Sequence, residues 1–206
     1  MNSFDKLTKL FSDFPGIGPR QAKRFVYFLL TRNPSYIDEF ITLIKSIKAD
    51  SALCSSCFRY FISNKSPSTL CPICNDRNRD LTKLMIVARD VDMENMEKTG
   101  VYDGYYFVLG GTVPILEKEP ERLVRIKELE KRLAKEADLK EIIIAMNANP
   151  EGENTEDFLR LRIKEISGAK NINLSTLGRG LSTGIELEYS DSDTLKSALK
   201  NREHTS

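Results

Sequence analysis

The sequence predicts an α+β chain of several modules: an N-terminal helical hairpin, a small four-cysteine module, an α/β segment around a parallel sheet, and a closing strand and helix. Three observations carry that prediction. Apolar residues recur at helical spacing through the first 50 residues, all four cysteines fall between residues 54 and 74, and the pattern then changes to short apolar runs alternating with helical segments. A chain of 206 residues holds one large or two small units plus a small module. The expected divisions are residues 1–50, 51–78, 79–176 and 177–206.

The first helix follows from Phe4, Leu7, Leu10, Phe11 and Phe14, and the second from Phe25, Val26, Phe28 and Leu29. Between them lies FPGIGPRQAKRF, residues 14–25. Gly16 and Gly18 let the backbone turn with its N–H groups exposed, the start of the second helix adds unpaired donors, and Arg20, Lys23 and Arg24 add charge. Such a convergence suits an anion, and a phosphate first of all. Two prolines and two glycines also suit a ligand-free turn between packed helices. A third helix follows, with Ser35-x-x-Asp38 reading as its capping box and Phe40, Ile41, Ile44 and Ile47 as its inward face.

Cys54-x2-Cys57 and Cys71-x2-Cys74 form two knuckles separated by 13 residues. Each knuckle brings two thiolates to one ion from a tight turn, and two knuckles complete a tetrahedron, the donor set of one structural zinc. Four thiolates leave no open position for chemistry. Two disulfides are the rival explanation, disfavoured because MNSFDKLTKL lacks the apolar core of a secretion signal.

Beyond the cysteines, LMIVA (84–88), YYFVL (105–109) and EIIIAM (141–146) have strand length and composition. Helical segments near 92–98 and 120–136 separate them, with Pro120 in a first helical turn, and a further helix runs from about 153 to 167. Strand alternating with helix implies a parallel sheet covered on both faces. Ile185-Glu186-Leu187-Glu188-Tyr189 alternates as an edge strand would, and a helix near 193–200 closes the chain.

No apolar run reaches the length of a membrane span, so the expected location is cytoplasmic. The net charge of +1 conceals an asymmetry: residues 1–83 carry 13 Lys and Arg against 7 Asp and Glu, and residues 84–206 carry 18 against 23. A basic N-terminal part suits a polyanion, and an acidic remainder suits a different partner. The sequence contains no G-x-x-x-x-G-K-[ST] phosphate loop, no G-x-G-x-x-G after a strand, and a single histidine, which excludes ATP hydrolysis by a P-loop.

In this order, FPGIGPRQAKRF resembles a helix-hairpin-helix element, the four-cysteine module follows, and the alternating segment resembles a Toprim domain. The arrangement is similar to the RecR family of bacterial recombination mediators. EKTGVYDGYYFVLGG (97–111), IIIAMNANPEGENT (142–155) and GRGLSTGIELEYSDSDTLKSALKNR (178–202) extend that resemblance over nearly the whole chain. It implies sequence-independent DNA binding through Gly16, Gly18, Arg20, Lys23 and Arg24, and partnership with RecO and RecF in loading the recombinase RecA on single-stranded or gapped DNA. It further implies a ring-like homo-oligomer, a dimer or tetramer, associated with the nucleoid.

Catalytic Toprim domains carry a glutamate ending the first strand and a D-x-D pair after the third, because Mg²⁺ needs hard, charged oxygens. Here those positions read Ala88 and Asn147-x-Asn149, so the chain is not expected to be an enzyme. Asp90, Asp92, Glu94, Glu151 and Glu153 lie near the ends of the same strands. They suit an acidic surface with helix N-terminal charges, a rebuilt metal site of a Toprim-class nuclease or topoisomerase, or, as the resemblance implies, contact with RecO. GLSTG (180–184) matches a nucleophile-elbow pattern, but Ser182 precedes an expected strand instead of following one, and His204 is third from the end.

Overall fold

The computed structural model describes residues 1–63, 68–167, 172–178, 180, 181, 184, 186–200 and 202. The chain divides into two compact units, Met1–Ser51 and Ala52–Ser206.

The first unit is three helices, α1 (Ser3–Ser12), α2 (Pro19–Leu30) and α3 (Pro34–Asp50). Asn2 caps α1 by accepting the Asp5 N–H at 2.9 Å. α1 packs along α2 through aromatic contacts, Phe4 on Tyr27 with centroids 5.1 Å apart and Phe11 on Phe25 at 5.6 Å, around buried Ala22 and Val26. The expected capping box of α3 is not the cap that forms. Pro34 occupies the first helical turn, so the cap moves upstream to Asn33, whose Oδ1 accepts the Tyr36 N–H at 2.8 Å, and Ser35 lies inside the helix. Phe40, Ile41, Ile44 and Ile47 do not face a core either: all four are exposed, Ile47 by 60%. Periodicity identifies an apolar face but not what covers it, and among the described residues of this unit no helix packs on α3 as α1 does on α2.

The second unit opens with the cysteine module: β1 (Ser51–Leu53) pairs with β2 (Tyr60–Ile62), and α4 (Pro72–Asn75) follows. Then come β3 (Asp80–Val87), α5 (Asp90–Thr99), β4 (Gly104–Val108), α6 (Ile126–Lys135), β5 (Glu141–Ala145), α7 (Pro150–Ser167) and β6 (Asn173–Thr176). β3 to β6 form one parallel sheet in the order β4-β3-β5-β6, with Leu84 beside both Tyr105 and Ile142. The period of two sends Leu84 and Ile86 to one face, where Ile126, Leu129 and Leu133 of α6 and Leu159 and Ile163 of α7 close a buried cluster. Met85 and Val87 go to the other, under Met93 of α5. Parallel strands buried on both faces read as the continuous apolar runs noted above.

Three details depart from expectation. Pro120 opens a three-residue 3-10 turn, Pro120–Arg122, and the helix proper begins only at Ile126. β6 adds a fourth strand that its sequence, NLST, hardly marks: backbone pairing to β5 makes it a strand, not apolar alternation. The expected C-terminal strand is absent among its described residues. Leu187–Tyr189 form a 3-10 turn before α8 (Ser192–Lys200), with Leu187 and Tyr189 exposed. An alternating pattern becomes a strand only where an edge is free to pair with it.

Candidate nucleic-acid interface and candidate metal centre

The hairpin turn is built from short-range bonds: the Ile17 N–H donates to Phe14 O at 3.0 Å, and Ala22 N–H to Gly18 O at 3.0 Å. Gly16 has φ of +76°, so the left-handed conformation requires glycine there. Gly18 is different. Its φ of −79° suits any residue, and a Cβ on it would meet nothing within 4 Å. Gly18 therefore leaves open space at the helix start without being needed for the turn itself. It caps α2 with no side chain, and Pro19 fills the first position. Among the described residues, the Arg20 and Gln21 N–H groups have no acceptor in the protein. Arg20, Lys23 and Arg24 are all exposed, and their spacing puts them on one face of the helix. The first turn of α2 holds no acidic residue, and Arg24 Nη1 donates only to Gln21 Oε1, at 3.3 Å. Three cations and a free helix N-terminus thus share one exposed end of the hairpin.

The four cysteines converge. Their sulfurs all lie within 4.8 Å of one another, with Cys57 Sγ 3.6 Å from Cys71 Sγ. A tetrahedral ion bound to sulfur at about 2.3 Å would set sulfurs about 3.8 Å apart, so the cluster could bind a metal ion. Cys54, Cys57 and Cys71 are fully buried. The first knuckle closes by the Phe58 N–H donating to Cys54 O at 3.0 Å, with Phe58 itself at φ +60°. Crowding sets the thiols against each other: hydrogen bonds from Cys57, Cys71 and Cys74 push Cys54 well below the ordinary thiol range, and the contact with Cys54 pushes Cys57 above it. A divalent cation removes that conflict, because it holds all four as thiolates.

At the carboxyl ends of the strands, the five acidic residues part company. Asp90 Oδ1 accepts the Tyr60 N–H at 2.8 Å, and Glu94 pairs with Arg59 at 3.7 Å, so both turn toward the cysteine module. Asp92 Oδ2 accepts the Arg89 N–H at 2.9 Å and caps α5. Glu151 Oε2 accepts from the Thr112 hydroxyl at 3.1 Å, and Glu153 is an exposed residue in the first turn of α7. Among the described residues, the four cysteines are the only group of three or more metal-binding side chains close enough to share an ion.

Ala88 is buried at the end of β3, 1% exposed. Asn149 caps α7, its Oδ1 accepting the Gly152 N–H at 2.8 Å. A cavity of about 330 Å³ opens between the ends of β3 and β5, where strand order reverses, lined by Val87, Asp92, Asn95, Met96, Ala145 and Asn147 among others. Its one carboxylate is the Asp92 already engaged with the backbone. Ser182 and His204 lie outside the described residues.

Residues that sequence reasoning passed over prove central to this unit. Arg125 and Arg132, at either end of α6, reach the carbonyls of the first cysteine knuckle. Gly152 lies so close to the Asn147 carbonyl that a Cβ would stand 1.9 Å from its oxygen. The i, i+7 spacing of two arginines beside the apolar stripe of α6 was the available signal for the first pair.

Comparison with known proteins follows the same division. Residues 82–174 match the Toprim domain family, and residues 180–203 match the family described as RecR, C-terminal. "Recombination protein RecR" of Chloroflexus aggregans is 38% identical over 197 residues, covering 96% of this chain and 91% of its own length. That of Ureaplasma urealyticum is 33% identical over 199 residues, covering 97% and 94%, and that of Lactobacillus acidophilus is 34% identical over 196 residues, covering 95% and 94%. With similarity running nearly end to end, the chain belongs to the RecR family of recombination proteins.

Proposed function

We propose that this chain is a non-enzymatic, DNA-binding recombination mediator that acts with RecO and RecF to help load RecA on single-stranded or gapped DNA. The observation that carries the reading is the end of α2: Arg20, Lys23 and Arg24 on one exposed face, beside first-turn N–H groups that lack protein acceptors. Gly16 makes the turn and Gly18 leaves room for a phosphate to approach the backbone. Contacts of this kind position a protein on the phosphate chain without reading bases. One hairpin binds weakly, and several held in one assembly act at high effective concentration. The exposed apolar face of α3 supports self-association as a dimer or tetramer.

In this reading the cysteine cluster holds one structural zinc, since four thiolates in paired knuckles suit that ion and leave no position for substrate. The Toprim region is silent as a nuclease or topoisomerase. Ala88 and Asn147-x-Asn149 supply no carboxylate to the cavity at the sheet edge, and Asp90, Asp92, Glu94 and Glu151 are each committed to another group. The acidic edge, with Asp90, Asp92, Glu94, Glu151 and Glu153, is the proposed contact for RecO.

The test is RecA assembly on DNA coated with single-strand binding protein. Addition of this chain with RecO should accelerate assembly, and Arg20→Ala/Arg24→Ala should remove the effect. Mg²⁺-dependent nicking of plasmid DNA, abolished by Glu151→Gln, would instead identify an enzyme.

A further inference from the structure

β4 is an edge of the four-stranded sheet, so among the described residues one side of its backbone has no strand to pair with. Leu109 N–H donates to Val87 O, which turns residue 109 toward β3 and residues 106 and 108 outward. The first cysteine knuckle covers that outward edge. The Val108 N–H donates to Cys57 O at 2.8 Å. Arg132 Nη1 donates to both Tyr106 O, at 2.6 Å, and Ser56 O, at 3.2 Å. Arg125 Nη1 donates to both Val108 O, at 3.0 Å, and Phe58 O, at 2.9 Å. Three successive knuckle carbonyls, those of Ser56, Cys57 and Phe58, are therefore tied to alternate residues of one strand.

Arg125 caps the start of α6 and Arg132 lies in its last turns, and both guanidinium groups reach the same edge of β4. The Arg132 side chain is only 9% exposed and is further oriented by Glu136, 2.7 Å from its Nε. Phe58 holds a left-handed conformation that a bulky residue adopts at a cost, and its environment constrains it: Arg125 binds its carbonyl, and its ring packs on Phe107 with centroids 5.4 Å apart.

We propose that Arg125 and Arg132 are positioning residues for the metal centre, holding Cys54 and Cys57 in ligand geometry by bridging the knuckle carbonyls to the open edge of β4. Metal retention and sheet integrity are coupled as a result. The knuckle cannot relax while the sheet is packed, and the sheet edge is covered only while the knuckle is in place. The inference rests on the reading of the cysteine cluster as a metal site, and its own observation is the pattern of hydrogen bonds between the knuckle, the two arginines and β4.

The test uses the full chain with Arg125→Ala, Arg132→Ala, their lysine counterparts, and Leu159→Ala as a core-destabilised control that makes none of these hydrogen bonds. Two rates are read under native conditions: transfer of metal to a chromogenic chelator, and alkylation of the four cysteines by N-ethylmaleimide followed by mass spectrometry. Each arginine-to-alanine variant loses the two charge-assisted hydrogen bonds that join knuckle and strand, Arg132→Ala its bond to Glu136 as well, and should accelerate both rates by about tenfold or more. The lysine variants keep the charge but not the fork and should fall between them and the wild type. Leu159→Ala should lower the melting temperature but accelerate both rates less than either arginine-to-alanine variant, since it keeps every bond between the knuckle and β4. Wild-type rates in the arginine and lysine variants, or equal acceleration by Leu159→Ala, would overturn the proposal. If an alanine variant fails to fold, the lysine variants decide. Metal content of the wild-type chain tests the zinc reading separately, because the alkylation comparison stands whichever ion, or none, is held.

Discussion

Replacing Arg20 and Arg24 together by alanine is the sharpest probe of the hairpin. Both side chains are exposed, neither is in an ion pair among the described residues, and Arg24 makes a single hydrogen bond within its own helix. The double variant should therefore fold normally, with stability changed by less than about 0.5 kcal/mol. Its effect on DNA should be large. If Arg20, Lys23 and Arg24 each neutralise one phosphate of duplex DNA, one hairpin contributes about 2.7 to the slope of log K against log salt, and the variant's hairpin about 0.9. Between 50 and 200 mM salt, those slopes correspond to losses of affinity of about 40-fold and about 4-fold per engaged hairpin. The assay is fluorescence anisotropy on labelled duplexes of unrelated sequence across that salt range. The slope should flatten by about 1.8 per hairpin and by the same amount on every sequence, since phosphate contacts carry no base information. A folded double variant with the wild-type slope would refute the reasoning and return FPGIGPRQAKRF to a turn between packed helices.

Other expectations concern the second unit. Chelation of the metal, or Cys57→Ser, should destabilise the chain by several kcal/mol and expose the edge of β4, seen as lost protection of its amides in hydrogen exchange, because the module is too small to build its own core. Gly152→Ala should cost about 2–3 kcal/mol in chemical denaturation, since the added Cβ meets the Asn147 carbonyl and either the capping turn or the start of α7 must shift. Asp80 accepts hydrogen bonds from the Thr82 hydroxyl and backbone N–H and pairs with Lys83, which lowers its carboxyl to about 2. A carboxyl depressed in the folded state contributes stability that is present above its unfolded value, near 4, and is lost as pH falls toward 2. Asp80→Asn should remove that part of the acid destabilisation, measured as a smaller drop in melting temperature between pH 4 and pH 2.

Much of the site was legible before any fold was known, for reasons that are local. Paired C-x-x-C knuckles, glycine and proline in a turn, and basic residues at i, i+3 and i+4 act within a few residues of chain, so their chemistry survives without tertiary information. The core strands were legible because burial on both faces demands continuous apolar runs, as in LMIVA and EIIIA. Where local signals competed, the nearer one won: Pro34 set the start of α3 ahead of Ser35.

By itself, then, the sequence determined the helix pair and its cationic end, the four-thiol donor set, the parallel core strands and that residues 88, 147 and 149 are Ala, Asn and Asn, without a carboxylate. Only the tertiary structure decided which edge the cysteine knuckle covers, that Arg125 and Arg132 bind it there, that NLST is a strand, and that IELEY contributes no strand among its described residues. It also decided that four of the five acids near one end of the sheet, Asp90, Asp92, Glu94 and Glu151, would be drawn to different partners. The reason is the range of the forces involved. Turn, cap and ligand chemistry depend on neighbours along the chain, whereas edge pairing, buried arginine bonds and apolar contact depend on segments tens of residues apart meeting in space, as when Arg132 reaches Ser56 or Thr155 takes the Val113 N–H.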